Sequence, residues 1–294
     1  MNLLFGLYYF LLSQFYASDL VALPNKSPQL VVRIFLDSNQ IRLGNDGQPK
    51  PLPVGHAGQH PIFNGIAAHY LELAPNAYTP LGGGAVVYHA PESRKGGATA
   101  IDFTKSIIRK SGEIYLKIPL KKIPKGEYEW VRLSVSYQNY DITFYYAGQA
   151  YTGTIASFVG FNTFIDTYKI KNQMVLVNSN KKQGYWGFES ISGVQTGQSP
   201  AGATTVPNPL FATSPIPAGS CVITGKFATK LIVDSQPQEH IFLDMYLSTN
   251  NSFEWVDVNA NGRWDVDKEA GENVVDMGLR GLVPKWTKSL NKSN

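Results

Sequence analysis

Residues 129–155 read Glu129-Trp-Val-Arg-Leu-Ser-Val-Ser-Tyr137, Gln-Asn-Tyr140, Asp141-Ile-Thr-Phe-Tyr-Tyr146, Ala147-Gly148-Gln149 and Ala150-Tyr-Thr-Gly-Thr-Ile155. β-branched and aromatic residues in short runs, broken by glycine, fit a pleated and half-buried surface. The spacing predicts a strand over 129–137 and a tight hairpin of 141–146 with 150–155 around Ala147-Gly148-Gln149. The same chemistry recurs outward in both directions. Residues 29–36, 66–73, 84–89, 174–178, 184–189, 221–227 and 240–247 read as further strands. Lys117-Ile-Pro-Leu120 and 129–137 flank Ile123-Pro-Lys-Gly126, a hairpin-like connection with Pro-Lys-Gly turn chemistry.

Residues 37–61 read as a loop, with Asn45-Asp46-Gly47 and prolines at 49, 51, 53 and 61. Amphipathic helical periodicity is absent. Residues 156–168 come nearest to a short helix, but their glycine and asparagine content argues against one. The segment 191–219 is rich in Gly, Ser, Thr and Pro. It reads as a long ordered surface loop of one sandwich, with a domain linker as the other reading. Together these features predict an all-β antiparallel sandwich, immunoglobulin-like or jelly-roll-like, with long loops. One domain spans 27–283 and a flexible basic tail spans 284–294.

The chain has 294 residues, a formal charge of +4, and 16 Tyr and 15 Phe. That charge is too small and too evenly spread for a nucleic-acid partner, and Lys121-Lys122 and Lys181-Lys182 read as solvated turns. Gly82-Gly83-Gly84 lacks the residues of a phosphate loop. Cys221 is the single cysteine. No intramolecular disulfide can form, and its alternation with apolar residues predicts a buried strand position rather than a nucleophile. The apolar run Met1–Tyr16, followed by Ala17-Ser18, reads as a signal peptide over 1–18. That predicts export to the periplasm or cell surface, with an uncleaved membrane tether as the other option.

One local motif points to a cation. Asp257-Val-Asn-Ala-Asn-Gly-Arg-Trp-Asp265 sets side-chain oxygens at Asp257, Asn259, Asn261 and Asp265, with Gly262 at the sharp turn and Arg263 offering its carbonyl. This is the order of the first nine positions of an EF-hand calcium loop. Position twelve is Lys268, which cannot ligate, so either Glu269 or Glu272 closes the site. The other reading is an Asx-rich turn between strands.

Four of the five histidines fall between 56 and 89. Imidazole suits copper, zinc or nickel. Adjacent strands can bring His69 and His89 together. His56 and His60, four apart in a glycine-containing loop, are the pair whose spacing lets both point at one ion. The alternative is that each histidine hydrogen-bonds locally. No Gly-x-Ser-x-Gly elbow or His-Glu-x-x-His helix is present, so no catalytic arrangement is assigned. Glu72, Glu92, Asp102 and Glu189 could pair in a glycosidase-like cleft. The aromatic segments 130–151 and Tyr185-Trp186-Gly187-Phe188 could offer platforms for a glycan.

Several segments resemble the MbnP-like family of exported proteins, related to methanobactin-associated copper-binding protein and common in Bacteroidetes. They are Ile118-Pro-Leu-Lys-Lys-Ile-Pro-Lys-Gly-Glu-Tyr128, Gly184-Tyr-Trp-Gly-Phe-Glu189, Ile66-Ala-Ala-His-Tyr-Leu-Glu-Leu73 and residues 221–247. The pattern spans most of 29–247. The resemblance implies an exported β-sandwich with a copper site formed by histidines and a modified tryptophan. The loop at 257–265 is similar to segments frequent in secreted Bacteroidetes proteins. The leading expectation is a non-enzymatic exported protein with structural calcium at 257–272 and copper or zinc on histidines. A cell-surface carbohydrate-binding or carbohydrate-active module, and a structural or adhesion module, are the alternatives.

Overall fold

A computed structural model describes residues 27–44, 47–199 and 206–289. The expected signal segment 1–18 lies outside these residues. Among them, no helix is long and apolar enough to cross a membrane. The described residues are all-β, and their only helical turns are 3-10 turns at Phe103–Lys105 and Leu120–Lys122.

The strands are β1 (Gln29–Asp37), β2 (His56–Gln59), β3 (Ile62–Ala74), β4 (Ala85–His89) and β5 (Glu92–Ser93). Next come β6 (Ala100–Asp102), β7 (Ile114–Pro119), β8 (Gly126–Tyr146), β9 (Gln149–Phe158) and β10 (Thr163–Lys169). Then follow β11 (Met174–Lys181), β12 (Tyr185–Ser190), β13 (Gly193–Gln198), β14 (Val206–Pro207) and β15 (Gly219–Ser220). The last are β16 (Val222–Val233), β17 (Ile241–Ser248), β18 (Phe253–Val256), β19 (Val274–Asp276) and β20 (Arg280–Lys288).

A seven-stranded sheet in the order β13-β12-β9-β8-β3-β4, with β16 also on β8, forms the centre. Its 21-residue β8 passes three covering layers in turn. Val131, Leu133 and Val135 pack against Leu30, Val32 and Ile34 of β1 and Leu243, Met245 and Leu247 of β17. These belong to the four-stranded sheet β20-β17-β1-β7, and this face-to-face packing makes the sandwich. Tyr137 then packs with Ile165, Tyr168 and Ile170 beside the sheet β11-β10-β6-β5. Tyr140 and Ile142 pack with Phe253 and Trp255 of the small sheet β19-β18-β2. Each fully buried Leu, Ile or Val of this core contributes about 1.5–3 kcal/mol.

The hairpin at 147–149 forms with a two-residue loop, since Tyr146 pairs with Gln149. Ala147 and Gly148 both take positive φ, 49° and 72°, as a turn matching the strand twist requires. The sandwich is antiparallel in most of its pairs, while β1 runs parallel to β17 and β6 parallel to β10.

Three local readings differ from the structure. Residues 117–120 and 129–137 form no hairpin, because β7 pairs with β1 and β8 pairs with β3, β9 and β16. Pro124-Lys-Gly126 instead carries the chain from one layer to the other, with Leu120 and Ile123 buried in the core. Turn chemistry is the same in either case; the layer each flank joins is a nonlocal matter. The 191–219 segment contains a strand, β13, and a short pair, β14 with β15, and Asn208 is buried and donates to the Ile216 carbonyl at 2.9 Å. The domain boundary expected at 283 moves to 288, because β20 pairs with β17 to Lys288. Pro284 is buried, Trp286 packs against the core, and Lys285 and Lys288 face outward. Lys285 and Thr287 form the outward half of an alternating strand, and Lys288 is exposed at its end.

Candidate metal centre

His69 owes its position to an irregularity in β3. Against β8 the register passes from Ala68 opposite Val135 to Tyr70 opposite Ser134, leaving His69 as an extra residue. Such a bulge re-aims a side chain. The His69 ring lies with centroids 5.6 Å from Tyr70 and 4.8 Å from His89. On the other edge of β3, Tyr70 pairs with His89 of β4, and the His69 carbonyl accepts the Ala90 N–H at 2.6 Å. Pro91 follows, its carbonyl accepting the Asp102 N–H at 2.9 Å, and Glu92 enters β5 opposite Ile101.

Three residues thereby converge. His69 Nε2 stands 3.1 Å and His89 Nε2 3.6 Å from Glu92 Oε1. One ligand atom from each of the three lies within 4.8 Å of the others. The His69 side chain is wholly buried, while those of His89 and Glu92 are 25% and 26% exposed. Phe161 stacks on His69 at 6.4 Å and 10°. His69 Nδ1 and His89 Nε2 are buried without a hydrogen-bond partner. Burial pushes the His69 imidazole pKa down against the Glu92 hydrogen bond, favouring the neutral ring that a metal requires. Burial also opposes the Glu92 charge, but its contacts with His69 and His89, the His69 hydrogen bond first, hold that carboxyl below its usual range. Two imidazoles and a carboxylate are donors for a borderline divalent ion.

His56 and His60 do not join this cluster or each other. The expected loop is β2 from His56 onward, and four residues of extended chain span about 13 Å. His56 Nδ1 lies 2.6 Å from Glu254 Oε1, and His60 Nδ1 accepts the Asn251 N–H at 2.8 Å. Glu254 is also bonded to Arg42, and to Arg280 at 2.9 Å, forming a buried ion network that Asp276 completes at 2.6 Å from Arg280.

The 257–272 loop curls into a turn closed by its own hydrogen bonds, a geometry common to an Asx-rich turn and a cation loop. Asp257 accepts the N–H of Asn261 at 3.1 Å and of Gly262 at 2.9 Å, and Gly262 has φ +71°. Asn259 Oδ1 accepts the Asn261 N–H at 3.1 Å and Asn261 Oδ1 the Arg263 N–H at 2.7 Å. The Asn259 and Asn261 amides donate to Asp265 Oδ2 at 3.0 and 2.8 Å, which holds that carboxyl below its ordinary pKa. Of the two closing acids, Glu272 returns to the loop, accepting the Asp265 N–H at 2.8 Å and bonding to the Val258 backbone, with its Oε1 buried. Burial and the charges of Asp265 and Asp257 raise its carboxyl. Glu269 stays exposed. The loop is anchored beyond itself: Asp265 bridges Tyr145, Arg263 lies over the Tyr145 ring at 4.9 Å, and Trp264 packs on Phe253 at 5.0 Å.

The other acids serve the backbone. Glu72 is buried and accepts the Gly82 and Gly84 N–H groups at 3.0 and 2.7 Å, with Arg132 at 3.3 Å, so the glycine run cradles the chain's own carboxylate. Glu189 binds the N–H groups of residues 171–173, and Asp102 binds Thr104 and Lys105. Glu92 is the one of the four that faces histidines. Its place at i+3 from His89 was the available signal. Trp186 lies flush over Gly197 of β13, where an added Cβ would stand 2.3 Å from the ring. Cys221 is half-buried just before β16.

No family model, curated protein or solved structure matches this chain. The MbnP-like likeness therefore rests on the quoted residues of the sequence alone.

Proposed function

We propose that this protein is a non-enzymatic metal-binding protein that holds a transition-metal ion, zinc or copper, between His69, His89 and Glu92. The convergence of two imidazoles and one carboxylate on a common point, with one histidine wholly buried, carries this reading. Binding the ion would give the unpartnered His89 Nε2 a ligand role and relieve the cost of burying it. Elemental analysis of protein purified without chelators tests it. The expected result is stoichiometric zinc or copper, lost in His69→Ala and His89→Ala and kept in a His56→Ala, His60→Ala double variant. Metal that survives removal of His69 would refute it.

A second ion, calcium in the 257–272 loop, is favoured by the return of Glu272 with a buried oxygen beside Asp257 and Asp265, whose charges raise its carboxyl. Three acids crowded together repel unless a cation sits among them. Its role is structural, joining the loop to the β8–β9 hairpin through Tyr145 and Trp264. Calcium binding followed by isothermal titration, with Asp257→Ala as the control, tests this part. Heat of binding unchanged in that variant would reject the site.

A further inference from the structure

We infer that the ion at the His69–His89–Glu92 centre is divalent and keeps one coordination position open to a small anionic donor from solvent; this rests on the metal reading proposed above. Three side chains supply three donors, and among the described residues no further His, Cys, Asp or Glu completes the group. A borderline divalent ion held by three protein ligands takes its fourth from water or an exogenous molecule.

The surroundings indicate where that position opens. His69 is wholly buried and Phe161 covers its ring, so the β3 side is closed. His89 and Glu92 are each about a quarter exposed, so solvent reaches the ion along their side. The charge of the donor set then decides what is welcome there. Two neutral imidazoles and one carboxylate carry a charge of −1, so a divalent ion leaves the centre at +1 and a monovalent ion leaves it neutral. A residual positive charge beside partly buried protein attracts an anion, and a neutral centre does not. Glu92 is therefore the residue that sets the preference for a divalent over a monovalent ion.

Cobalt(II) reports both features through its visible absorption. The full chain loaded with Co(II) is expected to show ligand-field bands that shift saturably on titration with azide, and likewise with acetate. Glu92→Gln should weaken Co(II) binding by at least about tenfold while weakening Cu(I) binding less. His89→Ala should remove the bands. A cobalt spectrum that azide leaves unchanged overturns the open position while the metal reading stands. Equal loss of Co(II) and Cu(I) affinity in Glu92→Gln overturns the preference for a divalent ion. Binding of Cu(I) with no binding of Co(II), Zn(II) or Cu(II) overturns the divalent preference, and if none of these ions binds the unaltered chain the metal reading fails and this inference with it.

Discussion

His69 and Glu92 meet at 3.1 Å although they belong to different sheets, His69 to the central seven-stranded sheet and Glu92 to the β11-β10-β6-β5 sheet beside it. An ion held by them and His89, as proposed, would staple two layers together. Its consequences are measurable in stability as well as in metal content.

Zinc is expected to raise the melting temperature of the metal-free protein. An ion that binds only the folded state stabilises it by about 2.7 kcal/mol at a hundredfold excess over its dissociation constant. Scanning calorimetry with and without zinc, on the unaltered chain and on His69→Ala, reads the effect. A shift of equal size in both would place zinc elsewhere.

Calcium removal should lower the melting temperature through a separate site. Asp257→Ala and Glu272→Ala are expected to make the protein indifferent to chelator, and Glu269→Ala to leave the response intact, since Glu269 stays exposed. Melts recorded with EGTA and with calcium distinguish the three variants. A normal response in Glu272→Ala would show that another group closes the loop.

The buried network around Glu254 should be costly to break. Arg42, Glu254 and Arg280 are each about 5–7% exposed, and Glu254→Ala leaves two buried guanidiniums without their shared partner. Breaking a buried pair in this way costs about 3–5 kcal/mol. Urea unfolding of Glu254→Ala measures it, and His56→Ala serves as the milder comparison with its metal content unchanged. A loss below about 1 kcal/mol, the range of surface pairs, would show the network to be dispensable.

Acid should weaken the fold partly through Glu189. Burial opposes its charge, but three backbone N–H groups outweigh that and hold its pKa below the usual 4.5. A carboxylate with a depressed folded-state pKa contributes stability that is present above the unfolded value and is lost as pH falls through the folded one. Stability should thus decline below pH 4.5, and Glu189→Gln should flatten that decline while being less stable at neutral pH. Chemical denaturation at a series of pH values compares the two, and parallel curves would exclude Glu189 as a contributor.

What the sequence determined by itself is what short-range chemistry controls. The alternation of Val131, Leu133 and Val135 selects strand and buried face together, and Gly148 beside Ala147 marks a tight hairpin turn. The turn at 257–265 was legible as a turn for the same reason, since its hydrogen bonds join residues within a few positions of one another. Tertiary structure alone decided which histidines meet. A single extra residue in β3 re-aims His69, and a change of sheet after Pro91 brings in Glu92, neither of which has a local signature. It also separated His56 from His60, because pairing with β18 drew their loop into an extended strand. Register and sheet membership are settled by partners far along the chain, so spacing can name the candidate ligands while long-range pairing chooses among them.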